Sequence, residues 1–167
     1  TKIWKGFHEF SQLGLIPQVS TRMHMTQAAG CSPIVDAWVS GESHVKPVKP
    51  DTIAKSLAIG NPADGHYGLL TLDESNGVAT SVPEDEIVSG IELLAEQEGI
   101  FTETAGGVVI AGLRRLVNQG VIKKDEPTVA YITGNGLKTQ EAVENSITTT
   151  IIEPTLAAFQ QVLEIKG

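Results

Sequence analysis

The sequence predicts an α/β domain: a three-layer α/β/α arrangement around a mainly parallel sheet. Three observations carry that expectation. Short β-branched or mixed runs alternate with segments of helical periodicity. Proline and glycine mark the starts and stops of the helical segments. The 167 residues are 41% hydrophobic and 19% charged, a globular composition long enough to bury one core.

From the N-terminus, Ile3, Phe7 and Phe10, with Trp4 beside them, place a helix over Ile3–Leu13. Arg22–Ala28 reads as a strand entering the turn at Gly30. Ser32 and Pro33 then supply a capping residue and a first-turn proline for a helix running through Ile34, Val35, Ala37 and Trp38 to Gly41. His44–Asp51 holds two prolines and little periodicity, and reads as an extended loop. Thr52–Ile59 is expected to be helical, capped by Asp51. Gly60–Gly68 is turn-rich.

Gly77–Val82 reads as a strand leading to a helix over Pro83–Glu98. That helix has Glu84, Asp85 and Glu86 in its first turn, where acids suit the helix dipole, and Gly99 closes it. A further helix is expected over Thr104–Gln119, closed by Gly120. Val129–Thr133 is expected to be a buried strand running into Gly134, Asn135 and Gly136. The tail carries a β-branched run at Ile147–Ile152 and a helix over Pro154–Ile165. No repeat, low-complexity tract or domain boundary interrupts the chain, so residues 1–167 are taken as a single domain.

Charge and cysteine content narrow the function classes. Twelve Lys and Arg stand against twenty Asp and Glu, a net charge of −8. Without a dense basic run, nucleic acid and anionic membrane are poor partners. No stretch of about 18 apolar residues predicts a membrane span. No signal-peptide pattern lies at Thr1, and a lone cysteine, Cys31, points to a reducing compartment, here taken as the cytoplasm.

His8, His24, His44 and His66 lack metal-ligand spacing, so no metal is expected. Cys31 precedes a helix start, which favours a thiolate, but the sequence places no base beside it. A small packed thiol is the simpler account. Ser11, Ser20 and Ser32 show no nucleophile-elbow context.

In open α/β sheets, ligands sit beyond the carboxyl ends of strands. Thr133 ends one expected strand and is followed by Gly134-Asn135-Gly136, which lets the backbone approach a ligand closely. Spacing alone leaves open a strand that merely ends in a tight turn.

Four strings read in order say more: Gln27-Ala28-Ala29-Gly30 with Pro33, then Ile59-Gly60-Asn61-Pro62, then Phe101-Thr102-Glu103-Thr104-Ala105-Gly106-Gly107, then Ile132-Thr133-Gly134-Asn135-Gly136-Leu137-Lys138. Their order and spacing resemble the second half of threonine synthases, tryptophan-synthase-β-like enzymes of fold type II that use pyridoxal phosphate. The opening Lys2-Ile3-Trp4-Lys5-Gly6-Phe7 resembles the helix that follows the family's glycine-rich phosphate loop.

The resemblance implies a pyridoxal-phosphate lyase that converts O-phosphohomoserine and water to threonine and phosphate. It implies Thr133 facing the pyridine nitrogen, with Gly134 beside it also in the cofactor site. A hydroxyl there need not keep the nitrogen protonated, and so tempers the electron sink. Glu103 matches a glutamate near the ring, with Thr104 where that segment carries proline. Gly60, Asn61 and Pro62 match a loop lining the pocket.

The Schiff-base lysine of the family lies in a Phe-Lys-Asp context that none of the nine lysines here shares. That lysine and the phosphate loop are therefore expected upstream, in another part of the same enzyme, and these residues alone are expected to be inactive. A homodimer is the implied assembly. The alternatives are a threonine or serine dehydratase of the same fold, or a non-catalytic binding or scaffold domain.

Overall fold

A computed structural model describes residues 1–146 and 148–164. Strand β1 (Met25–Ala28) lies parallel to β2 (Ala79–Val82), with Met25 opposite Ala79 and Ala28 opposite Val82. Between them in sequence come α2 (Pro33–Val39) and α3 (Gly65–Glu74). Ahead of β1 is α1 (Lys2–Gln12), and after β2 come α4 (Glu84–Glu98), α5 (Thr104–Asn118) and α6 (Leu156–Glu164).

The period-two alternation of a strand sends successive side chains to opposite faces of the sheet. Met25 and Ala79 pack with Val35, Leu72 and Trp38 of α2 and α3 on one face. Ala28 and Val82 pack with Ile87, Val108 and Ala111 of α4 and α5 on the other. The three expected layers are therefore present, around a small parallel sheet. Burying a side chain such as Leu72 or Ile87, both almost wholly removed from solvent, stabilises the fold by roughly 1.5–3 kcal/mol each. Helix α1 joins this body through Trp4, whose indole Nε1 donates to Glu74 Oε2 at 2.9 Å.

Helix ends follow the local signals with one substitution of role. Gly99 adopts the left-handed conformation (φ 67°) that terminates α4, as expected. At α2, Ser32 occupies the cap position but its hydroxyl donates to Asp36 Oδ1 instead. The free N–H groups of Ile34 and Val35 both donate to Gln27 Oε1 at 3.0 Å, so a side chain of β1 caps the helix that follows it. Glu84 ties two further segments to its own helix. Its carboxylate accepts from Gly30 N, Thr52 Oγ1 and Ile53 N, and so anchors the turn after β1 and the 51–53 loop to the start of α4.

Three expectations are corrected. Thr52–Ile59 is not an α-helix; only a single 3₁₀ turn forms at Lys55–Leu57, and Asp51 caps nothing. Glu84 and Thr52 Oγ1 take up the N–H groups of Ile53 and Ala54, and Ala54 docks into the core as part of a loop. Within the stretch read as turn, α3 starts at Gly65. Val129–Thr133 forms no strand, and Val129 is 78% exposed. A strand exists only by pairing, and this segment has no partner among the described residues. In the tail, 148–152 of the β-branched run has no regular secondary structure, and the expected helix forms as α6 over Leu156–Glu164; Ile147 and Ile165 lie outside the described residues.

Candidate active site

The two most specific strings of the sequence meet in space. Segment 101–104 leads into α5, and segment 134–139 crosses it antiparallel, with a bridge between Thr102 and Asn135. Glu103 N donates to Gly134 O at 3.1 Å, Gly136 N to Phe101 O at 3.0 Å and Thr102 Oγ1 to Gly134 O at 3.0 Å. One step further, Thr104 N donates to Thr139 Oγ1 at 3.2 Å. Asn135 Oδ1 accepts from Leu137 N, which turns the chain sharply after the glycines.

This crossing is close because two residues lack a Cβ. A Cβ on Gly134 would overlap Glu103 Oε1, and one on Gly136 would sit 2.5 Å from the ring of Phe101. The result is a notch holding the Glu103 side chain, only 5% exposed, with Thr133 exposed at its mouth. Lys138 Nζ lies 3.1 and 3.0 Å from the two carboxylate oxygens of Glu103. Thr104 Oγ1 is fully buried nearby and has no hydrogen-bond partner among the described residues.

Of the residues singled out by sequence, Glu103, Thr133 and Gly134 come together here. Gly60, Asn61 and Pro62 do not join them through any hydrogen bond or ion pair among the described residues. Gly60 packs on the 44–51 loop, where Val48 N donates to Gly60 O at 2.9 Å and a Cβ on Gly60 would run into Val48 O. Lys55 and Glu141 form an ion pair at 3.4 Å that ties the end of this loop region to the chain beyond Lys138. Sequence inspection missed Lys138 as a partner of Glu103, because the two stand 35 residues apart and no local pattern links them.

A groove of about 690 Å³ lies elsewhere, between the 20–26 segment and the 126–131 segment, floored by Val109, Leu113 and Leu116 of α5. Arg22, His24 and Glu126 stand in its wall. Arg22 Nη2 donates to both Glu126 oxygens at 2.6 and 2.7 Å, and with the Lys123 N–H it holds that carboxyl below the usual carboxylate range. His24 Nδ1 accepts from Val78 N at 3.1 Å. Burial, and then the neighbouring Arg22 charge, pull the His24 imidazole below its ordinary 6.5, against an opposing effect of Glu126. Burial likewise pushes the thiol of Cys31 up, as expected for a packed cysteine.

The depressed His24 has a consequence for stability. The unfolded chain takes up the proton first as pH falls, so the stabilisation is complete above about 6.5 and is lost as pH drops through the lower folded value. The unfolding free energy read from urea titrations is expected to fall below pH 6.5 with a slope of at most about 1.4 kcal/mol per pH unit, the limit for one proton. His24→Asn retains an acceptor for Val78 N and is expected to flatten that slope. An unchanged slope in the variant would assign it to another group. The Glu126 contribution lies lower, because a depressed carboxyl loses its stabilisation only as pH falls below about 4.5.

Among the described residues no cluster of His, Cys, Asp and Glu can hold a metal ion, and no helix is long and apolar enough to cross a membrane. The notch is therefore defined by a buried carboxylate, an exposed hydroxyl at a glycine turn and an orphaned hydroxyl. Of these, the exposed Thr133 hydroxyl is the group that can hydrogen-bond the nitrogen of a heteroaromatic ring.

The family model for pyridoxal-phosphate dependent enzymes matches residues 1–134, and the chain belongs to that family. Its relatives are more specific. The threonine synthase of Methanocaldococcus jannaschii is 43% identical over 141 residues, covering 84% of this chain and 35% of that protein. The threonine synthase of Halalkalibacterium halodurans is 39% identical over 150 residues, 88% of this chain and 39% of that protein. The chain thus spans little more than a third of the length of the curated relatives it matches. Among solved structures, a fungal L-serine ammonia-lyase from Rhizomucor miehei superposes with a TM-score of 0.54 at 19% identity, over 74% of this chain and 41% of that one. That likeness shows the shared fold.

Proposed function

We propose that these residues are the C-terminal part of a threonine synthase, which converts O-phosphohomoserine and water to threonine and phosphate. The observation that carries this is the notch itself: the two strings that most resemble the threonine synthases, 35 residues apart, close on one buried carboxylate. The identities of 38–43% to proteins of that name support it.

Pyridoxal phosphate, when bound, supplies the electron sink that makes protons beside the amino group removable. The residues of this chain act around it. Thr133 donates its hydroxyl to, or accepts at, the ring nitrogen without imposing a charge there. Gly134 leaves room for Glu103, whose carboxylate supports the ring edge. Gly60, Asn61 and Pro62 line the pocket as it is completed by the remainder of the enzyme. That remainder supplies the Schiff-base lysine and the phosphate loop, the enzyme is a homodimer in the cytoplasm, and the 167 residues are inactive alone.

The test uses the longer protein that contains this sequence. With pyridoxal phosphate and O-phosphohomoserine it is expected to release phosphate and form threonine in equal amounts. Ammonia and a 2-oxo acid from threonine or serine, with no phosphate released, would make it a dehydratase. No cofactor absorbance on reconstitution would overturn the assignment. The isolated chain is expected to release no phosphate.

A further inference from the structure

Glu103 presents an electrostatic problem that the rest of the notch does not solve. Its side chain is 5% exposed, and an unpartnered carboxylate at that depth is costly. It occupies the cap position of α5, yet it accepts no capping hydrogen bond from the helix. Thr102 Oγ1 donates to a backbone carbonyl and Thr104 Oγ1 has no partner, so neither neighbour serves it. Among the described residues its carboxylate has one partner, Lys138 Nζ, which is close to both oxygens.

Lys138 reaches that position through the turn that follows the glycines. Leu137 N donates to Asn135 Oδ1, Lys138 N to Asn135 O and Thr139 N to Gly136 O, while Thr139 Oγ1 anchors the turn to the first N–H of α5. The ammonium is thereby brought back over the notch from which the chain has just emerged.

We propose that Lys138 is a positioning residue that neutralises and orients Glu103, so that the site beside Thr133 carries no net negative charge. This rests on the cofactor assignment above. Its chemical consequence concerns the ring nitrogen. A hydroxyl at Thr133 leaves that nitrogen free to stay unprotonated, but an uncompensated carboxylate nearby would favour the protonated ring. Lys138 cancels that charge. Lys138 is itself 60% exposed, but it pairs with a carboxylate that is only 5% exposed, which separates this pair from the fully exposed ones that contribute little.

The experiment loads the longer protein with pyridoxal phosphate labelled with ¹⁵N in its ring. In Lys138→Met the ring-nitrogen resonance is expected to move toward the protonated position, and kcat to fall about tenfold with KM little changed. Lys138→Arg is expected to keep the wild-type resonance. The paired variant Lys138→Met with Glu103→Gln removes both charges and is expected to return the resonance. Glu103→Gln alone, which leaves the ammonium unbalanced, is expected to move it the other way.

Failure of the two ideas is distinguishable. A wild-type protein that binds no cofactor overturns the assignment and this inference with it. A wild-type signal that Lys138→Met and Glu103→Gln both leave in place overturns the inference alone. Should Lys138→Met fail to fold, Glu103→Gln and the paired variant decide the matter by the same resonance.

Discussion

Gly107→Ala is expected to lower the melting temperature of the chain by roughly 4–8 °C, taking about 2–4 °C per kcal/mol for a protein of this size. Helices α4 and α5 cross with their backbones touching. A Cβ on Gly107 would overlap Ile87 O and lie 2.8 Å from Ile91 Cγ1. A Cβ on Gly90, facing it, would overlap Gly107 O and lie 3.1 Å from Ala111 N. None of these backbone atoms can swing away, so the helices must separate, and the packing around Ile87, Val108 and Ala111 opens with them. Overpacking of this kind costs about 1–3 kcal/mol and sometimes more, while alanine returns up to about 1 kcal/mol of helix propensity. The loss wins at this crossing, by about 2 kcal/mol. Gly6→Ala is the control. It sits inside α1 with nothing within 4 Å of the new methyl, so only the propensity term acts and a slight rise in stability is expected. Thermal unfolding followed by circular dichroism checks both. A Gly107→Ala protein as stable as wild type would mean that the helices do not cross on these glycines.

The same contrast between local and non-local causes explains what could be read from the sequence. The limits of α4 were legible because an acidic first turn and Gly99 act within one turn of the helix they bound. The layer order was legible because strand alternation and helix periodicity are local too. Helix α3 was hidden because Gly65 and Gly68, which look like turn residues, are there for close packing: Gly65 lies against Val45 and Gly68 against Met25 and Ile34. The strand expected at Val129–Thr133 needs a neighbour, and pairing is not a property of five residues. Thr52–Ile59 has a helical pattern, but Glu84, more than thirty residues on, captures the Ile53 N–H and the Thr52 hydroxyl. At the site, the glycine turn and its neighbouring hydroxyl were visible as a string. The fit of Gly134 over Glu103, and Lys138 as its counter-charge, depend on two distant segments crossing and appear only in three dimensions.

Thr133→Val in the longer enzyme is expected to reduce turnover about ten- to hundredfold, each ~1.4 kcal/mol being tenfold in rate. The position favours this. The backbone just beyond it is fixed, because Gly134 O accepts from both Glu103 N and Thr102 Oγ1. The Thr133 side chain itself is exposed at the mouth of the notch and makes no hydrogen bond to any described residue. It is thus held in place by its neighbours and left with its hydroxyl free for a ligand. Valine keeps the shape and removes the hydrogen bond. A net hydrogen bond contributes roughly 0.5–1.5 kcal/mol, and leaving a buried partner unpaired costs about 1–3 kcal/mol. The loss is functional and not one of folding: an exposed substitution of this kind is expected to change stability by less than about 0.5 kcal/mol. The cofactor absorption spectrum is expected to shift with the turnover, since a hydroxyl bonded to the ring nitrogen would set the electronics of the ring. Thr133→Asp separates charge from shape, because an acid favours a protonated ring nitrogen and opens side reactions that the hydroxyl suppresses. Steady-state kinetics, absorption spectra and melting curves of the two variants check these outcomes together. A valine variant with wild-type turnover and an unaltered spectrum would remove Thr133 as the partner of the ring.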